Sequence, residues 1–111
     1  MITFLWLLLF LVLVHFLADY PLQGDFLATA KNRNTEVGKI FWKHALAAHS
    51  IIHGSLVAIV TGSLVLGLSE AIIHGITDFL KCENKISLNA DQAIHISCKV
   101  VWAIICIGGF L

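Results

Sequence analysis

Three ionisable residues, spaced four apart, interrupt an apolar segment of this chain. They are Glu70, His74 and Asp78, in the segment 68–81, LSEAIIHGITDFLK. On an α-helix, residues four apart share one face, so these side chains would form a single stripe. Imidazole and carboxylate groups bind divalent metal ions, and ionisable residues inside an apolar segment indicate a functional site.

Each of the other apolar segments carries a comparable pair at the same spacing. Two of these pairs combine a histidine with an aspartate, and the third consists of two histidines. They are His15 with Asp19, Asp91 with His95, and His49 with His53. We therefore predict eight metal ligands: His15, Asp19, His49, His53, His74, Asp78, Asp91 and His95. His44 is excluded, because it lies about 140° around a helix from His49 and about 180° from His53.

The composition is that of a protein that lies in a membrane. Of 111 residues, 59% are hydrophobic and only 13% are charged, about half the charged share of soluble domains. The net charge is zero, which gives no reason to expect a nucleic-acid partner. Three scattered cysteines without a CxxC motif argue against a disulfide framework.

The hydrophobic pattern predicts an all-α, integral membrane four-helix bundle with up-down topology, in one domain covering 1–111. The expected spans are about 2–20, 40–60, 64–80 and 91–111, close to the ~20 residues needed to cross a bilayer. We interpret the first as a retained span and not a signal peptide, because no positively charged region precedes it. The loops at about 21–39 and 81–90 hold most of the basic residues, so they are expected to be cytoplasmic, with both termini on the other side.

This topology brings the four pairs to the same half of the bilayer. At a rise of 1.5 Å per residue, all eight predicted ligands lie within roughly 20 Å of the cytoplasmic ends of their spans. Pairs that were placed independently on four segments would not be expected to lie at similar depths. We therefore expect them to meet in one pocket beneath the cytoplasmic headgroups.

Such a pocket predicts a divalent transition metal, Zn, Mn or Fe, as one ion or as a dinuclear site. A bound metal ion lowers the pKa of water, which makes hydrolysis the expected reaction. A lipid or a phosphoester is the expected substrate at this depth. Glu70 is a candidate general base, and Lys99 could orient an anionic group or pair with Glu70.

Two other functions compete with a hydrolase. A chain of ionisable residues could relay protons, which would make the protein an ion or proton conduit. Alternatively the polar residues only lock the helices together, in a non-catalytic membrane interaction protein. A homo-oligomer is compatible with either function.

The ordered motifs resemble those of a known family of small bacterial and phage membrane proteins, classed as a domain of unknown function. The motifs are HxxxDxPxQ from His15, HxxxH from His49, HxxxDxxK from His74 and DQxxH from Asp91. The resemblance covers nearly the whole chain and implies a bacterial inner-membrane, multi-pass location. It adds three polar site residues: Gln23, Lys81 and Gln92. More distantly, the chain is similar to metal-dependent hydrolases of the bacterial inner membrane.

Overall fold

The protein is all-helical. A computed structural model describes residues 2–110, with side chains from residue 3, so the final residue of the predicted fourth span lies outside the described part. Five helices follow one another: α1 (Ile2–Asp19), α2 (Gly24–Ala30), α3 (Glu36–Thr61), α4 (Leu64–Cys82) and α5 (Leu88–Gly108). The predicted all-α class is confirmed, and residues 2–110 contain no strand.

A sharp corner separates α1 from α2. α1 ends at Asp19, and Pro21, which has no backbone N–H to donate, follows in the turn. Gly24 has a φ of 64°, in the left-handed region that suits glycine, and the two helices meet at 81°. The predicted loop 21–39 therefore contains a short helix, α2, which packs against α3.

Hydroxyl residues define the starts of the three remaining helices. Thr35, Ser63 and Ser87 each accept a hydrogen bond from a backbone N–H three residues later, at 2.9–3.2 Å. α3 begins at Glu36, four residues before the predicted start of the second span, because its cap lies at Thr35. Gly62, with a φ of 71°, ends α3 and leads directly into α4.

α3 and α4 approach each other closely through small residues. A Cβ added at Gly54 would lie 2.5 Å from the carbonyl oxygen of Gly67, and one added at Gly67 would lie 2.7 Å from that of Gly54. Gly75 likewise faces Ser50, since a Cβ added at Gly75 would lie 3.0 Å from the Ser50 hydroxyl oxygen. The spacing of small residues in α4 thus lets two backbones meet, as in membrane helix pairs.

The long helices form a closed ring of contacts. α3 packs on α4, α4 on α5, α5 on α1 and α1 on α3. The two polar connections meet at one end, where Arg33 Nη2 donates to Glu83 Oε1 at 2.5 Å and Asn34 Nδ2 donates to Glu83 Oε2 at 2.8 Å. This contact raises the pKa of Arg33 and lowers that of the Glu83 carboxyl.

The surface of the protein is strongly apolar. Large side chains such as Ile59, 76% exposed, and Leu64, 71% exposed, point outward along the helices. α3 and α5 are each long and apolar enough to cross a membrane, and α1 with α2 would be a third, bent span. α4 is outside this group, because it carries Glu70, Asp78 and Lys81 among its 19 residues.

Candidate metal centre

The interior is unusually polar. A small apolar cluster, formed by Leu11, Val57, Leu66, Trp102 and Ala103, fills the part of the interior away from the charged loops. The other buried side chains between the helices are mostly ionisable: His15, Lys31, His49, His53, Glu70, His74, Asp78, Asp91, His95 and Lys99. Isolated buried charges are costly, so these groups must be paired or must bind something.

Each long helix contributes one pair of side chains to this interior. The spacing of four residues puts both members of each pair on the inner face of their helix. All eight predicted ligands point inward: the side chain of Asp19 is 13% exposed, and the other seven residues are at most 2% exposed. The pairs thus lie in one connected cluster, although they do not all belong to one set of ligands.

Four of the eight residues form the tightest group, which we call the four-ligand group. Asp19, His49, His53 and His74 each offer one ligand atom, and these atoms lie within 4.8 Å of one another. Asp19 Oδ1 is 2.8 Å from His53 Nε2 and 3.3 Å from His49 Nε2. Ligands of one zinc ion, each about 2 Å from the metal, lie roughly 3–3.5 Å apart. Small side-chain movements would therefore gather these atoms around one ion.

His74 lies at the centre of the histidine cluster. Its ring stacks on that of His53, with centroids 3.6 Å apart, and on that of His95, at 4.2 Å. The His49 ring meets it nearly edge-on at 4.9 Å. Removal of this one imidazole would therefore disturb contacts from two other helices.

The residues present fit a metal ion, because several buried nitrogens lack a partner. Within residues 2–110, both ring nitrogens of His74 and Nδ1 of His49 have no hydrogen bond, and His49 Nε2 has only a long contact of 3.3 Å with Asp19 Oδ1. An unsatisfied buried polar group costs about 1–3 kcal/mol. One ion in the four-ligand group would give each of these two rings a partner.

The Asp19 carboxylate faces two sets of side chains. Oδ1 faces the histidines of α3, whereas Oδ2 lies 3.3 Å from His15 Nε2 and accepts a hydrogen bond from Gln92 Nε2 at 3.1 Å. Gln92 Oε1 in turn lies 3.0 Å from His15 Nε2. Gln92 thus holds the Asp19 carboxylate between these two sets of side chains.

Asp91 and His95 lie beside the four-ligand group and not in it. Asp91 Oδ1 is 3.1 Å from His95 Nε2, and Asp91 Oδ2 accepts a hydrogen bond from Gln92 Nε2 at 3.1 Å. These side chains, with His15, surround Asp19 Oδ2 and Gln92.

Asp78, a predicted ligand, lies between two ammonium groups. Lys31 Nζ is 2.7 Å from its Oδ2, and Lys81 Nζ is 3.0 Å from its Oδ1. The nearest imidazole nitrogens, His49 Nε2 and His74 Nε2, are farther away, at 3.6 and 3.9 Å. In this conformation Asp78 is the partner of lysines and borders the four-ligand group.

Glu70 and Lys99 form a buried network of their own. Lys99 Nζ donates to Glu70 Oε1 at 2.5 Å, and Trp102 Nε1 donates to Glu70 Oε2 at 2.6 Å. Both carboxylate oxygens of Glu70 thus accept a hydrogen bond from a buried donor, and its role as a general base stays a prediction. Glu70 Oε1 lies 3.9 Å from His74 Nδ1, on the side of the ring opposite Asp78. That distance is too long for a hydrogen bond, so Glu70 is a neighbour of the His74 ring and does not hold it in this structure.

A cavity of about 190 Å³ opens on the cluster from the end that carries the charged loops. Its walls include Gln23 and Lys81, which the motif resemblance had added, and His74, Asp91 and His95. Gln23 Nε2 donates to the backbone oxygen of Asp19 at 2.9 Å, which ties the corner after α1 to the site. The larger grooves, by contrast, lie on the apolar outer face.

A comparison with protein families identifies the chain. Residues 7–109 match the family described as protein of unknown function, DUF3307. The chain belongs to this family. No curated protein and no solved structure matches it. The comparison therefore agrees with the predicted membership in a family of unknown function and gives no activity.

Two residues of this DUF3307 protein belong to the site and were not found by sequence reasoning. Lys31 looked like one of several basic loop residues, but it is only 4% exposed and reaches Asp78. Trp102 looked like an apolar span residue, but its indole holds Glu70. No local pattern marks Lys31, whereas Trp102 lies three residues after Lys99, on the same helix face, which was a usable signal.

Proposed function

We propose that this DUF3307 protein is a metal-binding integral membrane protein that hydrolyses a lipid or phosphoester substrate at the cytoplasmic leaflet. The single observation that carries the proposal is the four-ligand group, with its unpartnered imidazole nitrogens. The ion would be divalent Zn, Mn or Fe, for which imidazole and carboxylate are suitable ligands.

The proposed setting is a four-helix up-down bundle in the bacterial inner membrane, with both termini outside the cytoplasm. The closed ring of contacts among the long helices supports the bundle. The basic residues of both connections gather at one end, and the positive-inside rule assigns that end to the cytoplasm. The cavity opens at the same end, close to where lipid headgroups would lie.

In this proposal, residues of the chain bind the metal ion and orient its ligands. His49, His53 and His74 are the nitrogen ligands, and Asp19 is the oxygen ligand. Glu70 and Lys99 are positioning residues, because neither lines the cavity and Glu70 Oε1 lies 3.9 Å from His74 Nδ1, close enough to accept its N–H after a small side-chain movement. When bound, the metal would supply a water of lowered pKa and polarise the substrate oxygen.

Asp91 is the better candidate for a general base than Glu70. Its carboxylate lines the cavity, whereas that of Glu70 does not, and a general base must lie within reach of the group that loses the proton. His15, Asp91 and His95 are the residues that would hold a second ion, in which case Asp91 would be a ligand and not the base. Metal stoichiometry distinguishes one ion from two.

The test is metal content and activity of the purified protein in phospholipid nanodiscs. Wild-type protein should contain at least one equivalent of a divalent metal. It should also release a phosphate-bearing or fatty-acid product, and chelation of the metal should stop this release. His44, exposed on the same helix as His49, provides the matched control His44→Ala. Folded protein that takes up no metal would overturn the proposal. Metal-loaded protein without activity would favour the non-catalytic interaction protein.

The structure gives less support to the alternative of an ion or proton conduit. Ionisable residues occupy one part of the interior, and the rest is filled by the apolar cluster that includes Leu11, Val57 and Leu66. A proton path across the membrane would need groups there as well. Metal-gated flux in liposomes would nevertheless reverse this ranking.

A further inference from the structure

Two lysines converge on the cavity at a point that the proposed chemistry has not used. Lys31 and Lys81 both line the cavity, and both contact Asp78. The Lys31 side chain is 4% exposed and that of Lys81 is 26% exposed. Lysine normally extends its ammonium group into water, so a buried lysine at a cavity wall needs an explanation.

The position of Lys31 follows from the corner after α1. α2 folds back at 81° to α1, and Lys31 caps its C-terminal end, with its backbone N–H bonded to Leu27 O at 3.0 Å. This geometry points the Lys31 side chain towards α4, where Asp78 lies. Lys81 reaches the same carboxylate from one turn further along α4. Two helices thus deliver two cations to one acid.

The charge of the cavity depends on the metal. Its walls carry three carboxylates, Asp19, Asp78 and Asp91, and two ammonium groups, which leaves one negative charge when the histidines are neutral. One divalent ion changes this to one positive charge. A positive, half-enclosed cavity beside a metal attracts an anion, whereas the metal-free cavity repels one.

We propose that Lys31 and Lys81 bind the oxyanion of a phosphate group in this cavity when a divalent metal occupies the four-ligand group. The proposal deepens the proposed function and rests on it. Two ammonium groups on one side and a metal on the other form the usual clamp for a phosphoryl group. The cavity suits a headgroup-sized phosphate and not a whole phospholipid, so the remainder of a lipid substrate would extend outside it.

The competing explanation is that the lysines only hold α2 and α4 together through Asp78. Under that explanation Lys31→Met and Lys81→Met would affect stability but would not change anion affinity selectively. Under the proposal, each variant keeps its metal and loses affinity for phosphate. The two explanations therefore differ in a binding measurement.

The experiment titrates inorganic phosphate into purified, Mn²⁺-loaded protein and follows phosphorus relaxation, with Mn²⁺ content measured on each sample. We expect wild-type protein to bind phosphate only when loaded. Each lysine-to-methionine variant should bind it about tenfold more weakly or worse, as expected for the loss of a charged hydrogen bond. Lys39→Met is the control, since Lys39 is exposed and pairs with Glu36.

Nanodiscs distinguish the source of the phosphate group. Phosphatidic acid in the bilayer should compete with inorganic phosphate if the group belongs to a lipid, whereas phosphatidylcholine alone should not. Competition by neither lipid would assign the subsite to a soluble phosphate ester. Binding of a lipid phosphate and binding of a soluble phosphate ester should both be weakened in Lys31→Met and Lys81→Met.

Two failures can be distinguished. Absence of bound Mn²⁺ would overturn the metal proposal and this one together. Mn²⁺ binding with phosphate affinity that is absent, or unchanged in Lys31→Met and Lys81→Met, would overturn the phosphate subsite alone. If Lys31→Met does not fold, Lys81→Met decides, because Lys81 is partly exposed and its removal leaves Lys31 paired with Asp78.

Discussion

Two buried polar networks lie side by side in this protein, and only one of them is complete. In the first, Lys99 and Trp102 occupy both oxygens of Glu70. In the second, the four-ligand group, both ring nitrogens of His74 and Nδ1 of His49 have no hydrogen bond. The first network satisfies itself and needs no ligand. The second is arranged around a gap in its bonding, which is what a binding site requires.

The complete network should be the more sensitive to a single change. Lys99→Met removes the only cation beside Glu70 within the described residues and leaves a buried carboxylate without a charge partner. Breaking a buried pair in this way costs about 3–5 kcal/mol. We expect a large fall in the thermal unfolding midpoint, measured by circular dichroism in detergent.

The matched control for that variant is the double change Glu70→Gln with Lys99→Met. It removes both charges together, so most of the lost stability should return. An unfolding midpoint for Lys99→Met equal to that of the wild type would contradict the view that this network is a structural ion pair.

The incomplete network should respond to metal instead. A ligand that binds only the folded state at 100 times its dissociation constant stabilises it by about 2.7 kcal/mol. Chelation of wild-type protein should therefore lower the unfolding midpoint, and Zn²⁺ or Mn²⁺ should restore it. His49→Ala should show neither response. A chelator-sensitive midpoint in His49→Ala would place the ion elsewhere.

Trp102 tests how the two networks communicate. Trp102→Phe leaves Glu70 Oε2 without its donor, at a cost of about 1–3 kcal/mol. Because Glu70 lies behind His74, the variant should also weaken metal binding, by up to the 10–100-fold seen for outer-shell partners. Isothermal titration with Zn²⁺ measures this. Reduced stability with unchanged metal affinity would show that the networks are independent.

The smallest effect is expected at the exposed pair between the loops. The hydrogen bond from Arg33 lowers the pKa of the Glu83 carboxyl. Its stabilising contribution is therefore present at neutral pH and is lost as the pH falls through that lowered pKa. Arg33→Ala should leave metal content unchanged, and its unfolding midpoint should approach that of the wild type in acid. A change in metal content would tie the loops to the site.

The sequence predicted the incomplete network better than the complete one. Spacing of four residues put His15 with Asp19, His49 with His53 and His74 with Asp78 on common faces, and the alternating direction of the helices put these faces at similar depths. Both inferences need only helix geometry. The predicted spans and their orientation in a membrane stay predictions, because no membrane position follows from the helix bounds alone.

What the sequence did not predict depends on three-dimensional packing. The corner after Pro21 folds α2 back over the site and buries Lys31, and no periodicity in 21–39 indicates such a fold. For the same reason the contacts of Asp78 with two lysines were not predicted, and its role as a metal ligand stays a prediction. Of the two roles considered for Glu70, the structure shows the pair with Lys99, and it adds Trp102 as a second donor, which the sequence indicated only as an apolar span residue.

The central claim is tested most directly by elemental analysis of the purified protein, in wild type, His49→Ala and His44→Ala. The two variants remove the same side chain from the same helix, one from the four-ligand group and one from the surface. We predict at least one equivalent of divalent metal in wild type and His44→Ala, and a loss of most of it in His49→Ala. Folded wild-type protein without metal, or equal metal content in the two variants, would contradict the account.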